Sequence, residues 1–236
     1  MLIKTQGIIL RTVRYSETSI IADIYTEEKG LRAYIISGVR NRNAKMGMGM
    51  LQIMSIVELV TYDRDSKTIN RIKELKAAYV YQTLPFDVKK AAIGMFMAEL
   101  VSKTIKETEV NKALFQYLYE SFVALDQAQQ SIGNWHLLFM LEMATFLGFM
   151  PDNNYTQETP WFDLQEGVFV AEKPVDNYLN KEMSLVFSKL LANEDSVVMN
   201  RSQRNELLKK MMTYYQLHIE SFKELNSWQI LQEVLE

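Results

Sequence analysis

The side chains best suited to chemistry in this 236-residue sequence are cationic: Arg11, Arg14, Arg32, Arg40, Arg42 and Lys45, with Tyr15 and Tyr34 set among them. A guanidinium is a permanently charged, forked donor that matches phosphate oxygens, and a tyrosine ring offers a face on which a nucleobase stacks. If strand pairing gathers these residues onto one surface, that surface would track a polyanionic strand and hold its bases. The competing reading of the same residues is a small domain with scattered surface charge.

Covalent chemistry has less to work with. There is no cysteine, hence no thiol nucleophile, disulfide or thiolate metal site. The two histidines, His136 and His218, fall inside predicted helices with no second ligand at metal spacing, and read as structural or surface residues. Glu27 and Glu28 are adjacent in a turn, where their side chains diverge, so a solvated turn is expected rather than an acid–base pair. The glycine-rich stretch MGMGM at 46–50 lacks the Lys of a phosphate-binding loop and reads as a flexible connection. No catalytic, cofactor-binding or metal-binding residue is therefore assigned, no cofactor is expected, and the chain is expected not to be an enzyme.

Charge is unevenly distributed. The whole chain has 26 Lys plus Arg against 29 Asp plus Glu, yet residues 1–76 carry 13 against 8, a net of +5, which leaves −8 for residues 77–236. Opposite signs in the two parts suggest that the first meets a polyanion and the second does something else. At 48% hydrophobic and 23% charged, the composition is that of an ordinary folded globular protein. No apolar run approaches the roughly 20 residues that span a bilayer, and the N-terminus lacks the apolar core of a signal peptide, so a cytoplasmic protein with no membrane partner is expected.

The elements that must position the cations follow from periodicity. From Gly7 to about Leu75, apolar residues alternate with period two over five short stretches, separated by the turn sequences TEEKG at 26–30 and YDRDS at 62–66. Five strands in so short a segment suggest a small closed barrel, which removes exposed edges. After Pro85 the period becomes helical. Helices are predicted from Asp87, as N-cap, to about Lys106; from Asn111; over Trp135–Leu147, closed by Gly148; over 181–192; and over 202–225, with Ser202 as cap. Residues 149–179 interrupt the helices with three prolines and the strand-like GVFV, suggesting one hairpin. The expected class is α+β: a barrel over 1–80, then a helical domain over 81–236 with 149–179 as an irregular insertion.

The strings GIILRTVRYSET, IYTEEKGLRAYIISGVRNRNAK and LQIMSIVELVTYDR resemble the RecO family of bacterial recombination mediators, through Tyr15, Glu17, Thr26, Glu27, Gly30, Gly38, Arg40 and Arg42. MAELVSKTI, LFQYLYESF, FLGFMP at 146–151 and FDLQEGVF at 162–169 follow in the family's order, so the resemblance covers essentially the whole chain. It implies an OB-fold followed by a helical domain. It also implies binding of single- and double-stranded DNA and annealing of complementary strands. The implied partners are RecR and the C-terminal tail of the single-strand binding protein SSB, with RecA loaded indirectly onto SSB-coated DNA. A rival reading is a non-enzymatic helical adaptor whose barrel binds protein rather than nucleic acid.

One departure stands out. Many members carry paired C-x-x-C motifs after the G-F-x-P segment, forming a structural zinc site. Here the stretch MPDNNYTQETPWFDLQEGVFVAEKPV has neither cysteine nor histidine. Since a structural zinc is worth on the order of 10 kcal/mol in small metal-dependent units, Tyr155, Trp161, Phe162 and Phe169 are expected to pack as an apolar substitute.

Overall fold

Alternating β-branched and aromatic residues build five strands: β1 (Leu2–Arg14), β2 (Ile20–Thr26), β3 (Gly30–Ile36), β4 (Ile56–Tyr62) and β5 (Ile69–Ala77). In the computed structural model, which describes residues 1–38, 48–62, 68–106, 109–129, 132–193 and 197–235, they close a barrel in the order β1-β2-β3-β5-β4. The β3–β5 pair is parallel and the other pairs are antiparallel, the OB-fold arrangement. The predicted barrel is thus present, although its first strand starts five residues earlier than the periodicity suggested.

β1 is long because it serves two neighbours. Its first half pairs with β4 and its second half with β2, and Gly7 faces both Thr26 and Val57 at the changeover. The barrel is tight there. A Cβ on Gly7 would sit 2.6 Å from Cγ2 of Ile24 and 3.1 Å from Cδ2 of Leu59. Inside, Ile9, Ala22, Ile24, Tyr34, Ile36, Val57, Leu59 and Ile72 form the core.

The chain divides into two compact units, Met1–Gln129 and Gln130–Glu236. The first therefore contains, besides the barrel, the helices α1 (Val88–Thr104), which begins after the expected cap Asp87, and α2 (Lys112–Gln127), which begins at the expected place with Asn111 as its cap. A buried polar cluster joins them. The Asp126 carboxylate, at the end of α2, accepts from the backbone N–H groups of Gln82, Thr83 and Leu84 at 2.7–3.1 Å and from the Tyr79 hydroxyl at 3.0 Å. Lys90 of α1 donates to the Asp126 and Ala128 carbonyls at 2.8 and 2.7 Å, and to the Thr83 hydroxyl at 2.7 Å. The linker leaving the barrel is thereby fastened to both helices.

In the second unit, α3 (Trp135–Leu147) is buried on most sides and ends at Gly148, whose φ of 83° is the left-handed conformation of a helix C-terminus. Three short strands, β6 (Trp161–Asp163), β7 (Val168–Val170) and β8 (Tyr178–Leu179), form a sheet in the order β7-β6-β8. Thus the interrupting segment holds one strand more than the predicted hairpin. α4 (Lys181–Leu191) and α5 (Arg201–His218) follow. The cap of α5 is Asn200, in a reciprocal capping box with Gln203, rather than Ser202. α5 also stops at His218, short of the predicted end at Leu225, and a separate helix α6 (Ser227–Val234), which was not predicted, follows. Tyr215 and Tyr214 of α5 donate to the carbonyls of Met140 and Phe149, both at 2.6 Å, which seats the helix on α3 and its exit.

The Asp126 cluster makes a pH prediction. Burial pushes this carboxyl upward, but the N–H groups of Gln82, Leu84 and Thr83 and the Tyr79 hydroxyl outweigh it and hold the pKa below its ordinary value. A depressed folded-state pKa contributes stability that is present above the unfolded value of about 3.9 and is lost as pH falls through the folded one. Asp126→Asn should lower stability by about 3 kcal/mol near neutrality, and the deficit should shrink below about pH 4. Urea unfolding across that range tests this; a deficit independent of pH would contradict it.

Candidate nucleic-acid interface

Strand register decides which of the candidate residues share a surface. Along β1 the alternation places Arg11 and Val13 on the outer side of the barrel. Arg11 faces Asp23, which faces Ala33, which faces Ile69. The next outer row runs from Val13 through Ile21 and Ile35 to Arg71 and then Tyr62. Outer and inner residues separate cleanly, since Ala22 and Tyr34, one position along from Ile21 and Ile35, are fully buried.

Part of this outer face is covered. Tyr25 lies farther along β2 with the same outward parity, yet it is buried: its ring stacks on Phe115 of α2 at 6.4 Å and its hydroxyl donates to the Asn111 carbonyl at 3.4 Å. Burial raises the Tyr25 pKa to about 12, so it stays a neutral donor. Beyond Tyr25 the face is open, with Val13, Tyr62 and Ile69 exposed and Ile21, Ala33 and Ile35 half-buried.

The cations of the barrel fall into two groups. Lys4 and Lys76 grip Glu58 at 3.0 and 2.7 Å, Lys73 pairs with Glu74 at 3.2 Å, and Glu28 takes Lys112 at 2.6 Å. Hydrogen bonds from Lys76 and Lys4 hold the Glu58 carboxyl below its ordinary pKa. By contrast, among the described residues Arg14, Arg32 and Arg71 make no ion pair, and Arg11 meets Asp23 only at 3.6 Å with its side chain largely in solvent. An exposed pair of that kind is worth little, and a phosphate would compete with it.

The sequence-derived candidates therefore divide. Arg11, Arg14 and Tyr15 lie together at the β1–β2 hairpin, and Tyr15 is 63% exposed, open for stacking. Arg32 is on β3 opposite Ile24, whereas Arg14 is opposite Ile20, so the two are separated by four residues along β2, about 13 Å. Arg40, Arg42 and Lys45 lie outside the described residues. Tyr34 must be withdrawn: its side chain is fully buried among Ala22, Ile36 and Ile72 in the barrel core, because it shares the inward parity of β3 with Ile36. It cannot stack on a base.

Two residues went unnoticed in the sequence. Arg71 and Tyr62 face each other across β5 and β4 on the open side. Their alternation was readable, since Asn70 and Ile72 point inward. The parallel β3–β5 pairing that carries Arg71 to the same row as Ile35 was not, because it joins strands distant in sequence. The resulting surface has free guanidinium groups at its edges and aromatic and aliphatic side chains between them, the combination that suits a single strand with splayed bases.

Two family models match the chain: that described as Recombination protein O N terminal over residues 1–81, and that described as Recombination protein O C terminal over residues 85–228. The chain belongs to the RecO family. DNA repair protein RecO of Phocaeicola vulgatus is 35% identical over 239 residues, covering 99% of both chains. Its counterpart from Christiangramia forsetii has the same identity and coverage, and that from Bacteroides fragilis is 30% identical over 242 residues and the full length of both.

The zinc site of many RecO-family members does not fit this chain. The inner positions of the β6–β7 hairpin hold Phe162 and Phe169, ring centroids 4.9 Å apart, with Phe187 of α4 at 4.8 Å from Phe162 and Tyr155 at 5.3 Å from Phe169. Asn154 replaces a strand partner by bonding Phe169 through both N–H and carbonyl, at 2.7 and 2.9 Å. Three of the four expected residues form this cluster. Trp161 does not: one residue from Phe162 on β6, it lies on the opposite face, against Tyr178 at 5.6 Å. Neither histidine supplies a ligand here. His136 is buried in α3, where desolvation and then Arg204 push its pKa down to about 3, and His218 donates to the Leu164 carbonyl at 3.1 Å beside Phe149.

The register distinguishes the tyrosines experimentally. Tyr34→Ala should cost about 3 kcal/mol or more of stability, as core aromatic truncations do, while Tyr62→Ala and Tyr15→Ala should shift it by less than about 0.5 kcal/mol. Denaturant midpoints check this; equal losses would place all three in the core. Chelator treatment should leave the midpoint unchanged, and one tightly held zinc per purified chain would overturn the aromatic account of the hairpin.

Proposed function

We propose that this protein acts in DNA repair and recombination by binding single- and double-stranded DNA and annealing complementary strands, its open barrel face holding a single strand. The reading further has it work with RecR to load RecA onto single-stranded DNA coated by SSB, engaging the C-terminal tail of SSB. The observation that carries it is the segregation of barrel cations. Lys4 and Lys76 are held by Glu58, whereas Arg71, on the open row beside Tyr62, makes no ion pair among the described residues, and Arg14 lies with exposed Tyr15 at the adjoining hairpin. Membership of the RecO family, whose relatives are named DNA repair proteins, supports the same conclusion.

Annealing of this kind makes and breaks no covalent bond. Two strands repel through their phosphates, and a surface that replaces their counterions with guanidinium groups lowers the cost of bringing them together. Half-exposed Ile21, Ile35 and Val13 contribute apolar contact to bases and exclude water from the phosphate contacts. Such a protein would work in the cytoplasm, at the nucleoid; no helix of the described residues is long and apolar enough to cross a membrane.

The same isoleucines would also suit a protein partner, and a titration separates the two readings. If Arg14 and Arg71 each contact one phosphate, replacing both by Ala should shallow the salt dependence of single-strand binding by about 1.4 log units per log unit of salt. An unchanged slope removes them from the interface. No affinity for single-stranded DNA at low or moderate salt would favour an adaptor.

A further inference from the structure

The small sheet of the second unit has two unlike faces. Phe162, Phe169 and Leu179 point inward and are buried, Phe162 against Phe187 of α4. Trp161 and Tyr178 are on the outer face, half-exposed, ring centroids 5.6 Å apart at 81°. Three lysines from three places in the sequence converge on these two rings. Lys173 Nζ lies 5.8 Å from the Trp161 centroid and 5.0 Å from that of Tyr178, Lys181 Nζ lies 5.4 Å from Trp161, and Lys210 Nζ lies 5.7 Å from Tyr178.

Packing does not account for this arrangement. Each cation–π contact at an exposed site is worth about 0.5–1 kcal/mol, and gathering three ammonium groups works against it. Among the described residues none of the three makes an ion pair, and Glu172 and Asp176, exposed in the same loop, pair with none of them. Asp163, which faces Tyr178 across the sheet, accepts through Oδ1 from the N–H groups of Gln165 and Glu166 and makes no ion pair with the three lysines. Lys181 is moreover the first residue of α4, the end of a helix where a cation is disfavoured. Cations assembled against mutual repulsion and, at Lys181, against a helix dipole are matched by an anion supplied from outside.

We infer that the outer face of the β6–β8 sheet, with Lys173, Lys181 and Lys210 arrayed on Trp161 and Tyr178, is a second contact site for the phosphodiester backbone of a single-stranded nucleic acid. The lysines take phosphates and the ring edges take bases, the pairing of features found on single-strand binding surfaces. An acidic peptide would satisfy the ammonium groups but leave the rings idle. The inference rests on the proposed nucleic-acid function and deepens it, since annealing requires that two strands be held and the barrel face accounts for one.

The test uses the full chain and an oligothymidylate. Lys173→Gln, Lys181→Gln and Lys210→Gln together remove the charge while leaving aliphatic stems on the rings, so folding, checked by the thermal midpoint, should survive. The salt slope of binding should become shallower by about 2 log units per log unit of salt, from three contacts at about 0.7 each. Oligothymidylate should also quench tryptophan fluorescence in the parent, and Trp161→Phe should abolish that quenching. A slope indifferent to the three lysines but sensitive to Arg14 and Arg71 overturns this inference and leaves the barrel reading intact. Sensitivity to the lysines alone does the reverse. Quenching by a polyglutamate peptide and not by the oligonucleotide assigns the site to an acidic protein and also overturns it.

Discussion

The open face of the barrel exists because a buried carboxylate decides where the covered part ends. Asp126 holds the N–H groups of Gln82, Thr83 and Leu84, and through them the chain segment that leaves β5, against the end of α2. Lys90 closes the same cluster from α1 by satisfying carbonyls that the end of α2 leaves unpaired. α2 therefore lies where Phe115 reaches Tyr25 and covers the outer barrel surface there. A charge so deeply buried is costly unless every lone pair is used. Here the donors are largely backbone groups of one short loop, so the cluster specifies a position as well as lowering an energy.

Local rules were legible in the sequence, and pairings between distant segments were not. The caps Asp87 and Asn111, the limits of α3 and the glycine that ends it all follow from residues within a few positions of each boundary. Alternation also located the strands, and by itself it placed Ala22 and Tyr34 on the same side as Ile24 and Ile36. Which side was the inside needed the barrel to be closed, so Tyr34 remained a plausible stacking residue until its neighbours were known. Arg71 and Tyr62 show the same limit. Their position on the open face depends on a parallel pairing between β3 and β5, and nothing local to either strand encodes it. The cap of α5 failed for a smaller reason: Asn200 and Ser202 both suit an N-cap, and the reciprocal bond with Gln203 decides between them.

The aromatic hairpin shows what replaces a metal when its ligands are lost. A zinc ion holds two loops together from a single point, whereas Phe162, Phe169, Phe187 and Tyr155 do so by edge-to-face contacts spread along both strands. Such pairs are worth about 0.5–1.5 kcal/mol each beyond their buried area. Together with the two bonds of Asn154 and the apolar area buried, they hold the two strands together without requiring deprotonated ligands. The substitution also changes what the outer face can be. A metal-centred knuckle directs its side chains inward at the ligands, whereas a sheet with a filled inner face is free to carry large residues on the other side.

That freedom links the two surfaces that carry unpaired cations. In the barrel and in the small sheet alike, strands alternate between a buried apolar side and an outer side on which rings and cations coexist. Lys4 and Lys76 on the barrel are paired with Glu58, whereas Arg71 on the open row and the three lysines of the small sheet make no ion pair among the described residues. Leaving them unpaired forgoes little stability, because exposed ion pairs contribute at most about 1 kcal/mol. It matters more for binding, because a cation already paired with a carboxylate must lose that partner before it can meet a phosphate. The arrangement thus keeps the fold nearly indifferent to these residues while leaving their charge available to an incoming strand. Selection can then tune affinity at either surface without disturbing the cores beneath.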